Sequence, residues 1–228
     1  MAFPYSLVIF DLDGTLVDSA AAIADAVNRT LRDWKLPTYD TAKITGWIGE
    51  GSRKLITSAF AHAGSDASID DVMPGFLEHY AETALDGPAY DGVVETLASL
   101  HARGVKLAVC TNKNEEFVRP LLEARGMLHY FDGIVGANTL PERKPSGVPM
   151  RYLSTQAKVD IDRTLVVGDS ESDVLAARDA GMDFVLVSYG YRKSLDLRTA
   201  GAVAVIDRMP DLLLLGHGDR ARGVSWSS

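Results

Sequence analysis

The chain has 228 residues, with 23 Lys and Arg against 31 Asp and Glu for a formal net charge of −8, and 46% of its residues are hydrophobic. That length holds one well-buried core with room for a small second unit, and the acidic balance excludes bulk nucleic-acid binding, which needs a basic face. No apolar run reaches the roughly 20 residues of a membrane span, no secretory leader is expected, and the single cysteine, Cys110, excludes an intrachain disulfide framework; a soluble, cytoplasmic setting is the expectation.

The first predicted element is a buried strand, Leu7-Val8-Ile9-Phe10, that runs directly into Asp11, Asp13, Gly14 and Thr15. Alternate residues of an extended chain point the same way, so Asp11 and Asp13 can face one space, while Gly14 lets the backbone turn sharply. Two carboxylates at the end of a buried strand are costly unless used, although an acidic turn is the plainer reading of any isolated Asp-x-Asp.

Asp18 or Ser19 is placed to cap a helix with apolar positions Ile23, Val27, Leu31 and Trp34, which Pro37 closes. Between Tyr39 and Leu85 no strand is predicted. The segment reads as a short helix over 42–47, a turn Gly49-Glu50-Gly51, a helix carrying Leu55, Ile56, Ala59 and Phe60, and a helix from Ile69 to Tyr80 that Pro74-Gly75 should break or kink.

From Tyr90 helices and strands alternate. A helix with Val94, Leu97 and Leu100 leads to the strand 105–110, the helix 115–125 to a short strand near 133–136, and a helix around 150–157 to the strand 164–167. The helix 173–180 then precedes the strand 184–187, and a last strand, 202–206, is followed by Leu212–Leu215. Such alternation means βαβ units and a parallel sheet. The expected architecture is α/β, a Rossmann-like parallel sheet with helices on both faces, formed by 1–16 and 88–216. An all-helical cap, 17–87, is inserted over the strand ends, and the polar tail 217–228 is expected to be disordered.

Three further polar sets fall at strand ends. Thr111-Asn112 follows the strand 105–110 and suits either a phosphate oxygen or a simple helix cap. Lys144-Pro145 offers an ammonium for close carboxylates or a phosphoryl group, or an ordinary solvated loop lysine. Asp169 and Asp173, in Gly168-Asp169-Ser170-Glu171-Ser172-Asp173, can converge on a hard cation such as Mg²⁺, or serve as acids at a helix N-terminus. The five histidines show no metal-ligand spacing.

Taken in order, these sets resemble the four motifs of the haloacid dehalogenase-like superfamily of aspartate-nucleophile phosphohydrolases: DxDGT, a Thr after a strand, a Lys, and GDxxxD. The resemblance spans about 6–215 and is nearest to the phosphoglycolate phosphatase-like group, through DLDGTLVDS, the turn 48–51, Asp91-Gly92-Val93, GDSESDVLAARDAGM and Ser188-Tyr189-Gly190-Tyr191. Two positions depart from the group: Asp91, where many relatives have proline, and the run Ser146-Gly147-Val148-Pro149 after Pro145.

The resemblance implies a Mg²⁺-dependent phosphatase for a small phosphorylated metabolite such as 2-phosphoglycolate, working as a monomer or homodimer. Asp11 is then the nucleophile that becomes an aspartyl-phosphate, and Asp13 the acid/base. Thr111, Asn112 and Lys144 bind the phosphoryl group, with Lys144 also fixing Asp11. Asp11, Asp13 through its backbone carbonyl, and Asp169 hold the metal, supported by Asp173. The cap residues Gly49, Gly51 and Arg53, with Lys43 a weaker candidate, are expected to meet the organic part of the substrate. The rivals on the same fold are a β-phosphoglucomutase-like phosphotransferase, a pyrophosphatase, a phosphonate hydrolase using Lys43 or Lys54, and a 2-haloacid dehalogenase, against which the second acid at position 13 counts. A non-catalytic binding module has no use for so costly a cluster of acids.

Overall fold

The computed structural model describes residues 3–191, 193, 195–216 and, for the backbone, 224–225. The sheet has the order β3-β2-β1-β4-β5-β6-β7 with every pairing parallel. Its strands are β1 (Leu7–Phe10), β2 (Lys106–Cys110), β3 (Gly133–Val135), β4 (Thr164–Gly168), β5 (Asp183–Val187), β6 (Ala204–Ile206) and β7 (Val224–Ser225). Of the tail expected to be disordered, only Val224–Ser225 falls among the described residues, and there the backbone runs as a two-residue strand beside β6; the rest of that expectation lies outside them.

The strands are near-continuous apolar runs because helices cover both faces. Val8 and Phe10 of β1 pack with α5 (Val93–Ala102) and α6 (Glu115–Ala124), through Val93, Leu97, Val118 and Leu121. Leu7 and Ile9 pack on the other face with α7 (Val148–Ala157) and α8 (Glu171–Ala180), through Met150, Leu153, Val174 and Ala177. Connections leave β1 for β2 on one side, whereas β4 lies on the other, so the chain reverses its winding between β1 and β4. Phe10 is in register with both Val109 and Val167, which brings Asp11, the residues after Cys110 and the residues after Val167 to one edge of the sheet. A crevice at such a reversal, beyond the carboxyl ends of the strands, is where open α/β sheets bind ligands.

Between β1 and α5 lie four helices: α1 (Ala20–Asp33), α2 (Thr41–Thr45), α3 (Ser52–His62) and α4 (Ile69–Thr83). They share a separate apolar cluster, including Ile23, Val27, Ile44, Leu55, Phe60, Phe76 and Tyr80. Of the two candidates for capping α1, Asp18 is the one whose side chain serves: its Oδ1 accepts from the Ala20 amide at 3.4 Å, while the Ser19 hydroxyl is given to Asp13. Two local expectations need correction. The helix ends before Pro37: it stops at Asp33, and Lys35 adopts a left-handed φ of 56°. Trp34 is then the C-cap, half exposed, and meets Phe60 edge-on.

Pro74 does not break α4, which runs through it to Thr83. Its ring sits on the solvent side of the second turn, and the carbonyl deprived of a partner belongs to exposed Asp70 and is open to water. Val72, Phe76 and Tyr80 meanwhile keep one buried stripe at intervals of four. Among the described residues, no helix is long and apolar enough to cross a membrane.

Candidate active site

Three strand ends build the floor. Asp11 leaves β1 with its amide still donating to the Val167 carbonyl, and its Oδ1 accepts from the Leu12 amide at 2.7 Å. The same oxygen is 2.9 Å from Lys144 Nζ, and Lys144 reaches Asp173 Oδ1 at 2.6 Å. Lys144 precedes a cis peptide bond to Pro145. Asp169, at the end of β4, accepts from Thr15 Oγ1 at 2.9 Å on one oxygen and from the Tyr191 amide at 2.5 Å on the other.

Asp173 begins α8. Its Oδ2 accepts from the Ser170 hydroxyl at 2.6 Å and the Ser170 amide at 3.0 Å, while Ser170 answers the Asp173 backbone, a reciprocal cap of the helix start. Carboxylate oxygens of Asp11, Asp169 and Asp173 lie within 4.8 Å of one another, all three residues buried. The tight packing explains two glycines. A Cβ on Gly14, whose φ is +88°, would come within 2.5 Å of Asp169 Oδ2, and one on Gly168 within 2.4 Å of Asp173 Cγ.

Burial raises the Asp11 carboxyl to about 7, with the charge of Asp173 adding to the effect and Lys144 opposing it. Burial also pushes Asp169 well above the usual carboxylate range, with Asp11 and Asp173 adding to it. Burial works against the charge on Lys144, but the two carboxylates it bridges hold its proton more tightly than in an ordinary lysine. One ammonium thus faces three crowded acids, an arrangement with a surplus of hard oxygen charge. The same burial raises the Cys110 thiol to about 12, so it packs as an inert hydrophobe.

Above the floor opens a cleft of about 560 Å³, counting the space open to solvent. Asp11, Asp13, Thr111 and Asn112 line its base, and Ile23, Ile48, Leu55, Phe76 and Leu77 of the helical layer line its wall. Gly49 and Gly51 lie at its edge, where the Gly49 carbonyl accepts from Asn112 Nδ2 at 3.0 Å and Ser172 Oγ at 3.3 Å. Asn112 also donates to the Lys144 carbonyl at 3.1 Å, and its Oδ1 is buried without a partner among the described residues. The Thr111 hydroxyl accepts from the Lys113 amide at 3.2 Å, so it closes a local turn as well as lining the cleft.

The structure therefore gathers Asp11, Asp13, Thr111, Asn112, Gly49 and Gly51 around one cleft, with Lys144, Asp169 and Asp173 adjoining Asp11. It does not bring Arg53 there. That side chain is half exposed and pairs with Asp70 at 2.7 Å, and Lys43 lies outside the cleft over the Trp47 ring. Asp13 stands apart from the three-acid cluster, its Oδ1 taken by the Ser19 hydroxyl at 2.6 Å and by Lys113 Nζ at 2.9 Å.

Lys113 and Tyr80 were not among the sequence candidates. The Lys113 side chain is 3% exposed, and its ammonium meets both Asp13 and the Tyr80 hydroxyl. Lys113 follows Thr111-Asn112 directly, a position a sequence could flag, but Tyr80 reads as one more apolar residue of α4. Tyr191 stands in the sequence only as the end of Ser188-Tyr189-Gly190-Tyr191, yet its amide holds Asp169 and its hydroxyl bonds Asp18 at 2.7 Å and the Ala20 amide at 2.9 Å.

Comparison with known proteins agrees with this geometry. A family model described as haloacid dehalogenase-like hydrolase matches residues 8–187. A phosphoglycolate phosphatase of Colwellia psychrerythraea is 38% identical over 91% of this chain and 95% of its own, and one of Rhodospirillum rubrum is 41% identical over 90% and 88%. Among solved structures, a predicted phosphoglycolate phosphatase from Haemophilus somnus superposes with a TM-score of 0.87 at 33% identity, covering 92% of this chain and 97% of that one. The chain belongs to the haloacid dehalogenase-like hydrolases and is a phosphatase of that family.

Proposed function

We propose that the chain is a Mg²⁺-dependent phosphatase that hydrolyses a small phosphomonoester of the 2-phosphoglycolate kind through a phosphorylated Asp11. The observation that carries this is the placement of Asp11 at the base of the cleft, gripped by Lys144, with Asp169 and Asp173 crowding behind it. The donor set, carboxylate oxygens of hard character in charge surplus, fits a divalent cation such as Mg²⁺, with Asp11 and Asp169 as its holders and the Asp13 backbone carbonyl as a third. When bound, that ion supplies positive charge against the phosphoryl oxygens.

Asp173 has a different task. With the Lys144 ammonium on its Oδ1 and the Ser170 hydroxyl on its Oδ2, it orients the lysine and the turn after β4. Lys144 and the Leu12 amide share Asp11 Oδ1 and leave Oδ2 without a protein donor among the described residues, ready to attack phosphorus. Asp13 gives a proton to the leaving oxygen and then takes one from the water that attacks the phosphorylated Asp11, which splits one difficult displacement into two steps. Thr111 and Asn112 steady the phosphoryl group at the base. The helical layer encloses the ester's organic part against apolar side chains and limits bulk water.

The test is phosphate release from 2-phosphoglycolate, p-nitrophenyl phosphate, pyrophosphate and sugar phosphates, with Mg²⁺ and with chelator, together with a borohydride quench during turnover. Conversion of Asp11 to homoserine, read by mass spectrometry, marks the acyl phosphate. Turnover that survives Asp11→Asn, or transfer of phosphate to a sugar in place of water, would overturn the reading.

A further inference from the structure

The cleft has one cation among its lining residues, and it is Lys113, not Lys144. Lys144 lies behind the nucleophile with two carboxylates on its ammonium. Lys113 is different. Its ammonium offers three donors, and among the described residues it uses two, toward Asp13 Oδ1 and toward the Tyr80 hydroxyl. The Tyr80 ring also lies under the ammonium, 4.7 Å from its centroid, and is itself held by stacking on Phe76 at 5.7 Å and by the edge of Phe117 at 4.9 Å. The lysine is therefore seated on a rigid aromatic platform from the helical layer, with a donor to spare inside an otherwise apolar wall.

A phosphomonoester attacked at Asp11 must place its organic part against that wall. A hydrocarbon tail gains by it, but a second anionic group there without a counter-charge is strongly disfavoured. Lys113 is bonded to Asp13, the group next to the leaving oxygen, so only a short tail carries its acid back to the ammonium. We infer that Lys113, seated on Tyr80, is the specificity residue of this cleft: it selects short phosphomonoesters that carry a carboxylate on the carbon next to the ester oxygen. This deepens the proposed function and rests on it. The competing view, that Lys113 serves only to hold Asp13, predicts the same loss for every ester.

The experiment compares kcat/KM for 2-phosphoglycolate with that for ethyl phosphate, which has the same two-carbon ester without the carboxylate, at saturating Mg²⁺. Wild-type protein should prefer 2-phosphoglycolate. Lys113→Met should lower that preference about thirtyfold, mostly through KM, the size expected for one charge-assisted contact. Tyr80→Phe, which keeps the ring and removes the hydroxyl, should lower it about fivefold.

Equal losses on both esters in Lys113→Met, or an unchanged preference in Tyr80→Phe, would overturn the inference. Should Lys113→Met melt below the assay temperature, the Tyr80→Phe preference decides alone. A wild-type enzyme that hydrolyses both esters without preference sinks the inference and leaves the phosphatase standing. Release of phosphate from neither ester removes the 2-phosphoglycolate reading on which the inference rests.

Discussion

The floor and the wall of the cleft are held by different physics. On the floor every carboxylate oxygen that Asp169 and Asp173 offer is engaged, and Lys144 is shared between two elements, so each side chain is fixed by several independent bonds. The wall is fixed mainly by packing among Ile48, Leu55, Phe76 and their neighbours, with polar ties at Gly49 and Lys113. A group fixed by directional bonds tolerates no substitution, whereas a packed wall tolerates exchange of similar volumes. Chemistry should therefore be brittle and substrate choice adjustable, and each region can be broken separately.

The largest effect is expected from Asp11→Asn, which removes the attacking group: kcat for phosphate release should fall about 10⁴-fold. Its melting temperature should not fall, because the amide relieves a buried carboxyl already pushed to about 7. A stable, inactive variant separates chemistry from folding; a variant that melts early would mean that the floor holds the fold together. Asp169→Asn should cost about 10³-fold in kcat, and it should abolish the rise in melting temperature that Mg²⁺ produces.

The same rise should depend on pH with a definite sign. Burial raises the Asp11 and Asp169 carboxyls above their values in the unfolded chain, so the folded metal-free protein holds those protons more tightly. The stability these two carboxyls contribute is greatest at low pH and is lost as pH climbs from about 4 through 7. A cation competes for the same oxygens, so its stabilising effect should grow between about pH 5.5 and 8. A melting series at fixed Mg²⁺ with no such growth would separate the cation from these carboxylates.

The wall should respond more mildly. Phe76→Ala removes a fully buried ring under Tyr80 and should destabilise by about 3 kcal/mol while raising KM roughly tenfold, with kcat within a few fold. The smallest effect is expected from Arg53→Ala. An exposed pair such as Arg53–Asp70 contributes about 0–1 kcal/mol, and the side chain lies away from the cleft, so KM should move less than about twofold. A large rise in KM for Arg53→Ala would bring that residue back into the wall.

How much of this could be read beforehand follows the same division. The floor was legible because each of its acids stands where an apolar run stops, as Asp11 does after Phe10 and Asp169 after Gly168, and a parallel sheet brings such ends together without further information. The wall was not legible in the same way. Arg53 looked like a substrate contact because it follows the glycine turn, but its direction is set by which face of α3 packs inward, and Leu55, Ile56, Ala59 and Phe60 hold that face. Lys113 and Tyr80 come from different layers, and their meeting depends on how the helices lie over the sheet. At Pro74 the helix does not break, because the ring lies on the solvent side of α4.

The reciprocal cap between Ser170 and Asp173 has a consequence for how activity is gained and lost. The carboxylate that caps the first turn of α8 is also the one that completes the bridge from Lys144 to Asp11, so that turn and the readiness of the nucleophile are a single event. During unfolding, loss of turnover and loss of the α8 amide protection should coincide, and no long-lived population should keep a formed helix with a slack nucleophile. Sequence drift at position 173 is constrained twice over, once by folding and once by turnover, and selection sees both in the same residue.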